Sequence, residues 1–268
     1  MSSAAYVLRD SSTMLRRDLR HALRYPILSV SGLMVPVFLL LLFVGVFGNT
    51  MHAGLGPGGG HGGKYIDYLA PAIIIMTAGA AAAGTAIQIC MDMGEGVIAR
   101  FRTMAISRTS VLTGQVLGGL IRTTISAVLV IAVAIGLGFR PTATPVEWLA
   151  ATGVFAMLTL ALSWLTVGFG LVAKTPAGAN SLSLIPQFLP FISSAFVPTS
   201  SMPAGVRWFA QNEPFTPVIN TLRGLLTGTP IGHSAALAAV WCAALAAFGY
   251  LIARSRYNHN PATPQRAL

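Results

Sequence analysis

Six runs of about twenty mostly apolar residues follow one another along this chain of 268 residues. A helix of roughly 20 residues spans the hydrocarbon core of a bilayer, which is about 30 Å thick. Charged residues make up only 9% of the chain, too few for the surface of a soluble domain, and the alternating pattern of a membrane β-barrel is absent. We therefore predict an all-α, polytopic membrane protein with six transmembrane helices, in the runs Ile27–Phe47, Tyr68–Cys90, Val111–Phe139, Trp148–Ala173, Ala179–Val197 and His233–Ile252.

The basic residues orient these spans. With the N-terminus in the cytoplasm, twelve of the 17 lysines and arginines fall in cytoplasmic segments and four in external ones, while Arg122 lies within a span near its cytoplasmic end. Cytoplasmic loops are enriched in lysine and arginine. We therefore predict a multi-pass protein of the cell membrane (the inner or plasma membrane) with both termini in the cytoplasm.

This orientation divides the chain into three segments. We predict a cytoplasmic amphipathic helix over residues 1–26, a six-helix transmembrane domain over residues 27–254 and a cytoplasmic tail over residues 255–268. Within the transmembrane domain, residues 91–109 form the first cytoplasmic loop and residues 198–232 form the last external loop.

The segment before the first span has leucines at intervals of four and seven residues, with arginines on the other faces. This spacing predicts an amphipathic helix that lies in the headgroup layer and binds anionic lipids. A simple basic flank of the first span is the alternative, but it would need the charge without the leucine spacing. The arginines predicted at the membrane surface are Arg16, Arg17, Arg20 and Arg24.

The last external loop contains a seventh apolar stretch, Pro203–Leu226, which charged residues and prolines interrupt. Arg207, Glu213 and Pro214 are among these interruptions. A continuous span is therefore excluded, and we predict short re-entrant helices that dip into one membrane interface.

No motif for catalysis or metal binding is convincing. Gly58–Lys64 fits the spacing of a phosphate-binding loop, but Tyr65 stands where serine or threonine would hold magnesium, and the stretch follows a membrane span. It is better explained as a flexible glycine linker. His52 and His61 in the same loop lack a third ligand. We therefore predict that the chain is not an enzyme, has no nucleotide-binding site of its own and binds no metal.

The seven acidic residues all fall in loops or at span edges. Ion-coupled carriers bury carboxylates near the midplane, where the coupling ion needs a counter-charge. A transporter with this sequence must therefore take its energy from another subunit or be passive.

The first cytoplasmic loop predicts a docking surface. Its apolar side chains recur at helical spacing beside arginines, a combination typical of interface hot spots and unnecessary in a simple connector. The predicted docking residues are Glu95, Val97, Arg100, Phe101, Arg102, Met104 and Arg108.

Two motifs in this chain resemble type 2 ABC-transporter permeases, especially the daunorubicin-resistance branch. The first is Glu95-Gly-x-x-x-Arg-Phe-Arg102 followed by Ile106-Ser-Arg108, with Ala105 where many members have proline. The second resembles the last external loop of that branch, and the likeness extends over about Ile27–Ile252. The external-loop residues that carry it are Phe196, Pro198, Pro203, Trp208, Pro214, Pro217 and Arg223.

This resemblance implies a permease subunit of an ATP-driven exporter that moves a hydrophobic or amphipathic compound, such as a drug, an antibiotic or a lipid, out of the cell. It implies two cytosolic ABC ATPase subunits, which bind ATP and Mg, and a second permease that is either an identical copy or a paralogue. The chain itself is expected to bind no cofactor. A passive channel or an ion-coupled carrier without an ATPase is the alternative.

The net charge of +10 fits these partners. Basic residues near the membrane bind anionic lipids and cytosolic proteins, so we expect no nucleic-acid partner.

Residues of the first, second and fifth spans are candidates for the translocation path, because prolines there can kink helices and open a cavity. Contact with lipid or with other helices is an equal alternative for each of them. The candidates are Pro36, Phe38, Phe43, Met76, Gln88, Gln187, Phe188 and Phe191.

Overall fold

A computed structural model describes residues 34–46, 48, 65–94 and 108–259. In these ranges the chain forms eight α-helices and no β-strand. Two short 3-10 turns, Leu189–Ile192 and Thr199–Ser201, lie between the fifth and sixth helices. In chain order the helices are α1 (Met34–Val46), α2 (Tyr65–Gly94), α3 (Arg108–Gly136), α4 (Pro145–Val172), α5 (Pro176–Phe188), α6 (Ala204–Asn212), α7 (Phe215–Thr227) and α8 (Ser234–His259).

Four of these helices are long and apolar enough to cross a membrane: α2, α3, α4 and α8. They correspond to the second, third, fourth and sixth predicted spans, so an all-helical, multi-pass architecture is confirmed. The first predicted span, Ile27–Phe47, is described only in its second half, as α1. The predicted interfacial helix over residues 1–26 lies outside the described residues.

The fifth predicted span, Ala179–Val197, differs from the prediction. Helix α5 ends at Phe188 after 13 residues, and a 3-10 turn and further turns follow it. Pro186 and Pro190 lack the backbone N–H that a continuous helix would need, so the chain tightens and then leaves the helical path. A helix of this length is about 20 Å long, which is less than the thickness of a bilayer core.

The interrupted stretch Pro203–Leu226 forms short helices, as predicted. Helix α6 ends at Asn212 and α7 begins at Phe215, with Glu213 and Pro214 between them. How deeply these two helices enter a membrane stays a prediction.

Threonine–proline pairs fix where α4 and α5 begin. The hydroxyl of Thr144 accepts the Glu147 N–H at 3.4 Å, and the Glu147 carboxylate accepts the Thr144 N–H at 2.6 Å. The hydroxyl of Thr175 likewise accepts the Gly178 N–H at 3.1 Å. In both helices a proline occupies the first turn, where a missing N–H costs nothing.

Helix α2 lies at the centre of the bundle, where it packs against α3, α4, α5 and α7. Its side chains Leu69, Ile73 and Ile75 are fully buried, as are Leu158 and Leu162 of α4. By contrast, most apolar side chains described on α3 and α8 are exposed or half-buried rather than buried. Such faces suit contact with lipid rather than with water.

Helices α4 and α8 approach each other at backbone distance. A Cβ atom at Gly249 would lie 2.6 Å from the Cα atom of Leu165, and one at Gly168 would lie 3.2 Å from the carbonyl oxygen of Gly249. Small residues allow this approach, which drives helix association in membranes through van der Waals packing. Glycine is therefore required at position 249 by the neighbouring backbone, which cannot give way as a side chain can.

We expect Gly249→Ala to destabilise the bundle by about 1–3 kcal/mol, because the added methyl group must push α8 away from α4. The measurement is the apparent Tm of detergent-solubilised protein, followed by the loss of monodisperse protein on heating. Gly153→Ala is the matched control, since that position on α4 has nothing within 4 Å of the new methyl group. An equal Tm in the two variants would contradict the close packing.

Candidate functional site

A group of buried and half-buried polar side chains lies at the Tyr65 end of α2, where α7 and the chain between α5 and α6 meet it. We call Tyr68, Ser194, Asn220 and Arg223 the Arg223 cluster. Arg223 is only 9% exposed, although it carries a full charge. A buried charge is costly unless its environment supplies compensating contacts.

The Arg223 guanidinium has a partner at each of its three nitrogens. Nε donates to the carbonyl oxygen of Tyr68 at 3.1 Å, Nη2 to the carbonyl oxygen of Ser194 at 2.9 Å, and Nη1 to Oδ1 of Asn220 at 3.0 Å. The guanidinium carbon also lies 3.7 Å from the centroid of the Tyr68 ring. This is a cation–π contact in a desolvated place, where such contacts are strongest.

Further hydrogen bonds join the same elements. The Tyr68 hydroxyl donates to the Ser194 carbonyl oxygen at 2.8 Å, so this oxygen accepts from both Tyr68 and Arg223. The Ser194 N–H donates to Oγ1 of Thr216 at 3.0 Å, and the Ser194 hydroxyl donates to Oδ1 of Asn220 at 2.9 Å. The Tyr65 hydroxyl donates to the Phe196 carbonyl oxygen at 3.4 Å.

Helical spacing explains how the sequence assembles this cluster. Asn220 and Arg223 are three residues apart on α7, and Tyr65 and Tyr68 are three residues apart on α2, so each pair shares one helix face. Ser194 reaches them because the chain leaves the helical path after Pro190.

Arg223 forms no ion pair with any carboxylate among the described residues. Its charge is balanced by two carbonyl oxygens, one amide oxygen and the Tyr68 ring. Burial lowers the pKa of the guanidinium, and the neighbouring Tyr68 opposes this effect. Arginine nevertheless stays protonated in proteins, so the charge is permanent.

A second buried ionisable group, Glu213, lies at the beginning of α7. It is 4% exposed, and its carboxylate accepts the N–H groups of Phe215, at 2.8 Å, and Thr216. An anion at a helix N-terminus is stabilised by the unpaired N–H groups and the helix dipole. Burial nevertheless raises the pKa of Glu213 to about 7, because desolvation outweighs these hydrogen bonds.

Four phenylalanine rings form a chain beside the Arg223 cluster. The ring centroids are 5.7 Å apart for Phe188 and Phe191, 5.3 Å for Phe191 and Phe196, and 4.5 Å for Phe196 and Phe43. We call these residues the phenylalanine chain. Phe188 and Phe191 are 55% and 38% exposed, Phe196 is buried and Phe43 is half-buried, so the chain leads from an open surface through a buried ring to α1.

The match of residues 10–227 to the ABC-2 type transporter family decides the family of this protein. The chain belongs to the ABC-2 type transporter family. It is thus the membrane permease subunit of an ABC exporter, and a separate subunit hydrolyses ATP.

Two relatives show which branch of the family this permease resembles. It is 24% identical over 206 residues to the daunorubicin resistance ABC transporter permease protein DrrB1 of Streptomyces coeruleorubidus, covering 76% of this chain and 70% of the relative. It is 22% identical over 228 residues to the probable doxorubicin resistance ABC transporter permease protein DrrC of Mycobacterium tuberculosis, covering 82% and 80%. The resemblance to the daunorubicin-resistance branch is confirmed.

The structure brings together three of the predicted path residues of the permease. Phe43, Phe188 and Phe191 belong to the phenylalanine chain, and Gln187 lies half-buried where α5 passes α2. The other candidates are apart from it: Met76 is in the core of α2, Gln88 is half-buried near the other end of α2, Pro36 is buried on α1 and Phe38 is exposed on α1.

The external-loop residues of the permease occupy contrasting positions. Arg223 and Phe196 lie at the candidate site, and Pro217 is buried on α7. Trp208 and Pro203 are exposed, and Pro198 and Pro214 are half-buried.

Most of the predicted docking residues, from Glu95 to Met104, lie outside the described residues, as do the arginines of the N-terminal segment. Arg108 is the first residue of α3.

Tyr68, Ser194, Asn220 and Glu213 were not predicted as site residues. The tyrosine pair at helical spacing near the beginning of a span and the Asn-x-x-Arg spacing in the last loop were the available signals. Neither signal indicates that the two segments meet.

The raised pKa of Glu213 predicts a pH-dependent stability. As the pH rises from about 4.5 to about 7, the unfolded chain releases this proton while the folded chain keeps it, so the folded state loses up to about 3 kcal/mol. Below this window the contribution is fully present. We therefore expect the apparent Tm in detergent to be higher at about pH 5 than at about pH 8.

Glu213→Gln tests this assignment, because glutamine is neutral at every pH. The difference in Tm between the two pH values should be smaller in this variant than in the wild-type protein. An unchanged difference would show that other groups cause the pH dependence.

Proposed function

We propose that this permease moves hydrophobic or amphipathic drugs or antibiotics out of the cell and that planar aromatic compounds are among them. The phenylalanine chain carries this proposal, since its rings offer successive stacking surfaces from the exposed end of α5 to α1. The names of the relatives, which refer to resistance to daunorubicin and doxorubicin, support the same class of compound. The alternative cargo is an amphipathic lipid, and the transport assay must distinguish lipid transport from drug transport.

The proposed topology has six spans and cytoplasmic termini. Helix α1 would be the second half of the first span, and α5 with the turns after it would occupy the position of the fifth. Helices α6 and α7 would form a re-entrant hairpin on the external side, which makes the Tyr65 end of α2 the outer end. The excess of basic residues in the segments assigned to the cytoplasm supports this orientation.

The proposed complex contains two cytosolic ABC ATPase subunits, which bind ATP and Mg, and a second permease, either a copy of this chain or a paralogue. The ATPases would dock on residues 91–109 through Phe101, with Glu95, Arg100 and Arg102 forming ion pairs around it. Anionic lipids would bind the basic N-terminal segment. The charge pattern of these segments supports both contacts.

The test of the proposed cargo is transport by the complex of permease and ATPase in proteoliposomes, with daunorubicin as the fluorescent probe. We expect Phe191→Ala to raise the KM for daunorubicin between about two- and tenfold, because it removes the ring that connects Phe188 to Phe196. Phe248→Ala is the matched control, since this ring on α8 is 56% exposed and lies outside the phenylalanine chain.

Equal KM values for the two variants would contradict the role of the chain. ATP-driven movement of a fluorescent lipid, without movement of daunorubicin by the wild-type complex, would contradict the proposed cargo.

If the ATPase docks on this loop, changes in the loop should impair the stimulation of ATP hydrolysis without impairing membrane insertion. Phe101→Ala or Arg102→Glu should abolish the stimulation of ATP hydrolysis by the permease, while membrane insertion stays normal, because an anchor or a charge partner is lost. Arg254→Glu is the control, as this arginine is exposed at the end of α8 predicted to face the cytoplasm. Full stimulation in either loop variant would refute the assignment of this loop.

A further inference from the structure

The contacts of the Arg223 cluster divide into two sets. Ser194 is tied to α7 by its N–H, which donates to Thr216, and by its hydroxyl, which donates to Asn220. Arg223 is tied to the same unit through Asn220 and the Ser194 carbonyl oxygen. Residues 193–196 and α7 therefore form one unit, which holds Arg223 even without α2.

Only a few contacts of the cluster cross from this unit to α2. They are the bond from Arg223 to the Tyr68 carbonyl oxygen, the cation–π contact with the Tyr68 ring and the bond from the Tyr68 hydroxyl to Ser194. The bond from Tyr65 to Phe196 lies beside them. We call these four contacts the seam between α2 and α7. Because they lie side by side, a separation of α2 from α7 would break all four together.

The charge of Arg223 makes this seam an all-or-none contact. Among the described residues no carboxylate pairs with it, so a partly opened seam would leave a buried charge with too few partners, which is costly. In a fully opened seam, water would hydrate the Arg223 guanidinium in place of the Tyr68 ring and the Tyr68 carbonyl oxygen. The two favourable arrangements are therefore the closed and the fully open one, with a barrier between them.

The seam also controls the phenylalanine chain. Phe196 is two residues from Ser194, and its ring stacks on Phe191 and contacts Phe43. Movement of residues 193–196 with α7 would carry this ring away from α1 and separate Phe196 from Phe43.

We propose that Arg223 is the positioning residue of an outer gate in this permease, which holds α7 and residues 193–196 against α2 until cargo leaves. The inference rests on the proposed function, since the gate closes the proposed path. Arg223 touches no cargo; it acts through Tyr68 and Ser194.

The experiment uses the complex of permease and ATPase in proteoliposomes and compares the amount of daunorubicin moved per ATP hydrolysed. In Arg223→Lys the charge remains, but the planar fork that reaches Tyr68, Ser194 and Asn220 together is lost. We expect ATP hydrolysis within about twofold of wild type and a fall of about tenfold in daunorubicin moved per ATP, because a loosely closed gate lets cargo return. Arg223→Gln should show a larger fall.

Arg207→Gln is the matched control. This arginine of α6 also donates to two carbonyl oxygens, those of Ser200 and Met202, but it is exposed and its contacts stay within the predicted external loop. Its ratio of transport to hydrolysis should equal that of the wild type.

A second measurement reports the seam directly. Ala195→Cys, at a position that is 0% exposed, is introduced after Cys90 and Cys242 are changed to alanine. With the complex in nanodiscs, where both faces are accessible, a hydrophilic maleimide should label it slowly at rest and faster during ATP hydrolysis. With Arg223→Lys, labelling should be fast in both conditions while ATP hydrolysis stays within about twofold of wild type, a combination that general unfolding of the permease would not produce.

Several results would overturn the gate. One is that Arg223→Lys matches the wild type both in daunorubicin moved per ATP hydrolysed and in labelling rate. Another is that labelling of the wild-type complex does not change with ATP hydrolysis. If Arg223→Lys is not monodisperse, Tyr68→Phe, which removes only the bond to Ser194, must shift both measurements in the same direction. A wild-type complex that moves no daunorubicin but shows hydrolysis-dependent labelling would refute the proposed cargo and leave the gate supported.

Discussion

The backbone of this chain must satisfy its own hydrogen bonds, because hydrocarbon offers no donors or acceptors. This requirement explains the long helices α2, α3, α4 and α8, in which the N–H groups beyond the first turn find partners within the helix. It also explains what happens where helices break. Beyond Pro190 the chain is no longer helical, and the Ser194 N–H and carbonyl oxygen find partners in Thr216, Tyr68 and Arg223. The polar cluster thus supplies the hydrogen bonds that a continuous helix would have supplied to the Ser194 backbone.

The same constraint decides what the sequence could reveal. Length and apolarity suffice to recognise a span, so the ends of α2, α3, α4 and α8 were predicted to within four residues, except that α8 continues seven residues beyond Ile252. The break of α5, by contrast, depends on where two prolines act. The Arg223 cluster depends on contact between Tyr68 and Arg223, which are 155 residues apart in the chain. No local pattern encodes that contact. Family resemblance singled out Arg223, but only the packing of α7 against α2 explains why an arginine belongs there.

Apolar and polar features meet in residues 189–196. Two residues of this segment, Phe191 and Phe196, contribute rings to the phenylalanine chain, which ends at Phe43. Ser194 of the same segment belongs to the Arg223 cluster. A single short segment therefore joins the row of aromatic rings to the contacts that hold α2 and α7 together. The buried carboxyl of Glu213 fixes the beginning of α7, so the stability of this region also depends on a proton.

The glycines between α4 and α8 have a mechanical consequence. Helices whose backbones touch, as at Gly168 and Gly249, cannot slide past each other without a clash of main-chain atoms. These two helices therefore move together, as one body, in any rearrangement of the bundle.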